Sequence, residues 1–137
     1  MDYSELIQNA IDAKEYAYTP YSNFRVGAAL LTKSGKTYRG CNIENAAYTP
    51  TNCAERTAFF KAISEGEKEF AAIVVNGDAD DYLYPCGVCR QVMVEFCDPD
   101  EFKVIVANTI ADYKVYTLRE LMPGIFDANE LAKGQSK

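Results

Sequence analysis

Three cysteines, a carboxylate and an arginine fall within two short blocks of the sequence, Cys53-Ala54-Glu55-Arg56 and Pro85-Cys86-Gly87-Val88-Cys89. Each block opens an apolar stretch with helical spacing. The cysteines are therefore predicted at helix starts, where unpaired N–H groups and the positive end of the helix dipole favour thiolate over thiol. Cys86 and Cys89 lie three apart and share a helix face, and two helices that both follow segments leading onto one sheet can set their N-termini side by side. Three thiolates then converge on one cation, and the metal such ligands most often take is zinc.

A closed structural zinc site wants a fourth protein ligand. The chain has no histidine, so only Cys41 and Cys97 remain. Cys97 lies two turns beyond Cys89, about 12 Å along the same helix and out of reach. Cys41, in a strand, stays open as a fourth ligand at this point. An open fourth position would hold water, whose pKa a zinc ion lowers to about 7. Glu55, in the first helical turn beside Cys53, is then the carboxylate placed to move protons. Three thiolates outweigh the charge of one zinc ion, and an Arg56 guanidinium donating to the sulfurs would offset the excess. Taken singly, these residues have plainer uses: each cysteine in the core, Glu55 and Arg56 as ordinary first-turn and surface helix residues.

The totals narrow the classes. A chain of 137 residues, 48% hydrophobic and carrying a formal net charge of −6, is expected to form one domain over 1–137 with a real core. Its acidic balance disfavours nucleic acid and anionic membrane as partners. The acidic opening MDYSELIQNA lacks the pattern of a secretory leader, and five cysteines, an odd number, argue against a disulfide framework. A cytoplasmic location is expected.

The elements that must position the cysteines follow from periodicity. Residues about 2–18 read as an amphipathic helix, FRVGAALLT and KTYRGCNIE as an antiparallel hairpin turning at Gly35, and CAERTAFFKAISEG as a second helix, with Ala58, Phe59 and Phe60 expected in the core. FAAIVVN is a buried strand, CGVCRQVMVEFC a third helix, FKVIVAN a further buried strand, and KVYTL a short strand before a helix around LRELM. This order predicts an α/β fold of three layers, α/β/α, around a mixed sheet of about five strands. AKGQSK reads as a loose polar tail from about 132.

CAE followed by PCGVC, with FRVGAALL and GCNIENAAY upstream, closely resembles the short cytidine deaminases of nucleoside salvage, in the three-cysteine form of the zinc-deaminase signature. The likeness runs from the first helix to about Phe126. It implies Cys53, Cys86 and Cys89 as ligands of one Zn²⁺ per chain, Glu55 as proton shuttle, and a homotetramer with active sites at subunit contacts. It further implies Phe24 against the pyrimidine, Asn42 and Glu44 on the ribose, Ala54 in the substrate site, and Tyr48 and Phe126 reaching a neighbouring subunit's pocket. Thr49, Pro50 and Thr51 depart from the family pattern. Without the likeness, the aromatics read as core or interface residues, Asn42 and Glu44 as a solvated strand face, and Cys41 and Cys97 as buried thiols. The implied reaction turns cytidine, and deoxycytidine, into the uracil nucleoside and ammonia. The competing readings are a deaminase of another pyrimidine-like compound, a non-catalytic zinc scaffold with four sulfurs, and, more weakly, a polynucleotide editor.

Overall fold

The computed structural model describes residues 2–135. Five strands, β1 (Val26–Thr32), β2 (Thr37–Cys41), β3 (Phe70–Gly77), β4 (Lys103–Ala107) and β5 (Tyr113–Thr117), form one mixed sheet in the order β2-β1-β3-β4-β5. Only β3 and β4 run parallel; the other three pairings are antiparallel. The helices are α1 (Ser4–Ala13), α2 (Ala54–Ser64), α3 (Gly87–Phe96), the single turn α4 (Leu118–Leu121) and α5 (Ala128–Gln135). The α/β class, the mixed five-stranded sheet and the order of its elements follow the sequence pattern.

Strand alternation divides the core in two. Ala28, Leu30, Ile73 and Val104 pack with Ala58 and Phe59 of α2 and Met93 of α3, while Ala29, Val74, Ile105 and Ala107 face Leu6, Ile7 and Ala10 of α1. The sheet is thus the middle of three layers, with both cysteine-bearing helices on one side. Helix α2 lies almost on the β1–β2 hairpin: a Cβ at Gly40 would come within 2.3 Å of the Ala54 carbonyl oxygen. A residue without a side chain there sets the depth at which Cys53 and Glu55 start.

Three details differ from the sequence reading. The first helix ends at Ala13 and gives a single 3-10 turn, Lys14–Tyr16, because Tyr18 is drawn into backbone pairing with residues 42–44. Phe60 is 46% exposed, since the buried face of α2 runs through Ala54, Glu55, Ala58, Phe59 and Ala62 and leaves position 60 off it. A further helix, α5 (Ala128–Gln135), which the sequence pattern does not predict, takes in residues 132–135 where a loose tail is expected, and 136–137 lie outside the described residues. Among the described residues no helix is long and apolar enough to cross a membrane.

Candidate active site

Cys53 and Cys86 are the N-cap residues of α2 and α3, both with extended backbone, and Cys89 sits in the first turn of α3. Their sulfurs converge: Cys53 Sγ is 3.9 Å from Cys86 Sγ, Cys86 Sγ is 3.4 Å from Cys89 Sγ, and all three lie within 4.8 Å of one another. A tetrahedral zinc with Zn–S bonds near 2.3 Å requires sulfurs about 3.8 Å apart. The trio therefore fits the ion without rebuilding the backbone. Cys41 and Cys97 stand outside the cluster; both are half-buried rather than buried, Cys97 beside the core and Cys41 in a groove with Lys61. Among the described residues, then, the cluster offers three sulfurs and no fourth protein ligand.

The charge balance around the sulfurs is built in. Arg56 donates from Nη2 to Cys53 Sγ at 3.3 Å, and Cys86 Sγ accepts from the Cys89 backbone N–H at 3.4 Å. A hydrogen bond from the Cys89 thiol, more than the adjacent Arg56, holds the Cys53 thiol down to about 5, while the same bond and burial push the Cys89 thiol up. One of the pair is poised as thiolate before any metal arrives. Arg56 Nε is buried without a partner, so its guanidinium is held at the sulfurs at the cost of one unpaired donor.

Glu55 is 5% exposed on the core face of α2. Burial, the largest influence, raises its carboxyl to about 7; the neighbouring Cys53 thiolate adds to the rise, and a hydrogen bond from its own backbone N–H opposes it. A carboxyl poised near neutrality can both accept and deliver a proton. It opens onto a cavity of about 200 Å³ whose wall includes Asn42, Cys53, Ala54, Leu83, Tyr84 and Cys86. Thr51 lines both this chamber and a second, outer one of about 350 Å³, whose wall also includes Tyr21, Ser22, Glu44, Asn45 and Tyr48.

The strand that ends at Cys41 continues into a backbone clamp. Ile43 exchanges hydrogen bonds with Asn52, and Tyr18 bonds to Asn42 and Glu44, which carries residues 42–44 alongside Cys53. Asn42 Oδ1 accepts from Val26 N and its Nδ2 donates to the Phe24 carbonyl; Glu44 accepts from the Tyr21 and Ser22 N–H groups and the Ser22 hydroxyl. Both side chains thus hold the 21–24 loop as well as facing the chambers. Phe24 rests against Gly77, where a Cβ would meet its ring at 3.0 Å and Leu83 at 2.9 Å, and is not on the wall of the inner chamber. Tyr48 sits at φ 62 in a tight turn and is 76% exposed, and Phe126 is 60% exposed, its carbonyl accepting from Gln91. Within one chain the structure does not bring Phe126 to either chamber.

Leu83 and Tyr84 were not legible as site residues. The available signal is their position immediately before Pro85-Cys86: a segment feeding a ligand-bearing helix start has to pass the ligand.

Over residues 1–106 the chain matches the family described as the cytidine and deoxycytidylate deaminase zinc-binding region. It is 53% identical over 131 residues to a cytidine deaminase of Halalkalibacterium halodurans, covering 96% of this chain and 98% of that one. A Mycobacterium tuberculosis cytidine deaminase is 41% identical over 135 residues, covering 97% of this chain and 96% of that one. Among solved structures, the cytidine deaminase of Burkholderia pseudomallei superimposes with a TM-score of 0.86 at 48% identity, over 92% of this chain and 100% of that one.

Proposed function

The chain belongs to the cytidine and deoxycytidylate deaminase family, and from that premise we propose that it deaminates cytidine, and 2′-deoxycytidine, to the uracil nucleoside and ammonia. The observation that carries this reading is the buried Glu55 beside three convergent sulfurs at the floor of a small chamber. Cys53, Cys86 and Cys89 would hold one zinc ion, which supplies the Lewis acidity that makes water nucleophilic near neutral pH. Glu55 takes the proton that the water gives up and delivers it to ring nitrogen N3, then carries a second proton to the amine leaving C4. Water's oxygen ends as the uracil carbonyl and the amine leaves as ammonia. One carboxylate with a pKa near 7 serves as base and then acid, so the absence of histidine is no obstacle.

In the same proposal Ala54 borders the base, Phe24 supports it from behind the chamber wall beside Gly77 and Leu83, and Asn42 and Glu44 hydrogen-bond the ribose through lone pairs left over from the 21–24 loop. The outer chamber, with Glu44 on its wall, supports a sugar site contiguous with the base site. The exposed Tyr48 and Phe126 complete a neighbouring subunit's pocket in a homotetramer, and the enzyme works in pyrimidine nucleoside salvage in the cytoplasm. Purified protein with one zinc per chain and the mass of four chains is expected to release ammonia from cytidine and deoxycytidine, and far more slowly from free cytosine. A site built to hydrogen-bond hydroxyls discriminates by up to about 10⁴-fold against a substrate that lacks them. Equal rates with free cytosine would remove the ribose role of Asn42 and Glu44, and ammonia from none of the three would remove the activity.

Arg56→Gln tests the charge balance. Losing the guanidinium at 3.3 Å leaves the sulfurs more electron-rich and the water harder to ionise. Turnover is expected to fall about tenfold to a hundredfold with the alkaline-going limb of the pH profile moved upward. An unchanged profile at full zinc content would show that Arg56 does not tune the site.

A further inference from the structure

Alternate residues of the segment that enters α3 reach for the β4–β5 hairpin. Asp80 Oδ1 accepts from Asn108 Nδ2 at 2.8 Å. The Tyr82 hydroxyl donates to Asp112, and Lys114 Nζ stands 4.8 Å from the centre of the Tyr82 ring. The Tyr84 and Tyr116 hydroxyls are 2.7 Å apart, their ring centroids 5.6 Å apart and their planes inclined by 57°. As the segment advances two residues at a time, its partners climb the hairpin four at a time, through 108, 112 and 116. Leu83, between two of these rungs, turns the other way, toward Gly77 and the chamber wall.

The last rung bears on the site. Tyr84 forms part of the wall of the chamber that holds Cys53 and Glu55, yet it is 39% exposed, and a tyrosine that open to solvent has several rotamers to choose from. The hydroxyl contact and the tilted ring contact with Tyr116 select one of them. Tyr116 itself is outside the chamber lining. We infer that Tyr116 is a positioning residue: by fixing Tyr84 on the chamber wall it sets how tightly the nucleoside is held, without touching it. The inference rests on the cytidine reading of the same chamber.

A hydroxyl that only stiffens the sheet edge would change stability and nothing else. A positioning hydroxyl changes binding, and the two are separable. Tyr116→Phe keeps the ring and removes the hydroxyl, Tyr84→Phe removes its partner, and the double variant removes both. On the zinc-loaded enzyme we expect each single variant to raise KM for cytidine, and the calorimetric Kd for uridine, about three- to tenfold, the range set by one modest hydrogen bond. The kcat of Tyr116→Phe should stay within about twofold and its zinc at one per chain, and the double variant should raise KM and Kd no more than either single, because one contact has been removed three ways. Asp112→Asn, which loosens the rung below while leaving Tyr116 intact, should raise KM in the same direction.

Parent-like KM and Kd in Tyr116→Phe would overturn the inference, as would a double variant whose effect is the product of the singles. A rise in Tyr84→Phe alone would mean that Tyr84 acts directly and that Tyr116 positions nothing. If the parent neither binds uridine nor releases ammonia from cytidine, the cytidine reading fails and the inference with it. A parent that turns over cytidine beside an unaffected Tyr116→Phe overturns the inference alone.

Discussion

Glu55→Gln is expected to retain one zinc per chain and the parent fold while cytidine turnover falls by about 10⁴ or more, the upper end of what a general acid–base residue contributes. The amide is nearly isosteric with the carboxyl and does not belong to the three-sulfur cluster, so metal and packing have no reason to change. It cannot take a proton from water, and in the proposed reaction one residue makes every transfer. Substrate should bind at least as well, which separates binding from chemistry. Turnover within about tenfold of the parent at full zinc would remove Glu55 as the proton carrier.

The same substitution has an opposite, pH-dependent effect on stability. In the zinc-free protein, burial raises the Glu55 carboxyl from 4.5 to about 7, so the folded chain holds that proton more tightly than the unfolded chain. The contribution is fully present below about pH 4.5 and is lost as the pH rises through about 7. Gln has no proton to lose. The stability of Glu55→Gln relative to the parent should therefore grow between those two pH values by on the order of 3 kcal/mol, read from denaturant unfolding of the chelated proteins. A difference that is flat across this window would mean that the carboxyl is not held in the apolar environment described.

Element types were legible because each is written locally. Apolar runs in FRVGAALLT, FAAIVVN and FKVIVAN leave little choice but strand, and three cysteines at two helix starts define a cluster from spacing alone. What escaped depends on contacts between distant segments. Tyr18 leaves the first helix because residues 42–44 offer it a backbone ladder, and no local pattern in 2–18 signals that partner. Leu83 and Tyr84 are wall residues because side chains at 80, 82 and 84 dock on a hairpin some thirty residues later, a match of unlike residues with no periodicity to read. Asn42 and Glu44 were legible as polar residues beside the site. Their hold on the 21–24 loop was not, since it requires knowing that this loop returns to the end of β2.

Cys86→Ala is expected to lose zinc and turnover together. Two thiolates remain, and with no fourth protein ligand in the cluster they cannot hold the ion against dialysis. Two effects on stability then have to be told apart. Cys86 caps α3, its sulfur accepting from the Cys89 N–H, and losing a cap costs about 0.5–2 kcal/mol. Losing a ligand that binds only the folded state costs RT ln(1 + [L]/Kd), about 4 kcal/mol when zinc is a thousandfold above its Kd. The larger loss belongs to the metal, so the variant should melt close to the chelated parent and well below the zinc-loaded one. Acid should mimic it: the ligands must be thiolates to hold the ion, so protonation competes with the metal and zinc should leave the parent as the pH falls. Cys97→Ala and Cys41→Ala, both outside the cluster, supply the control and should keep one zinc per chain. Full zinc in Cys86→Ala, measured by atomic absorption after dialysis, would mean that the three sulfurs are not the ligand set and that the geometry at 3.9 and 3.4 Å serves packing alone.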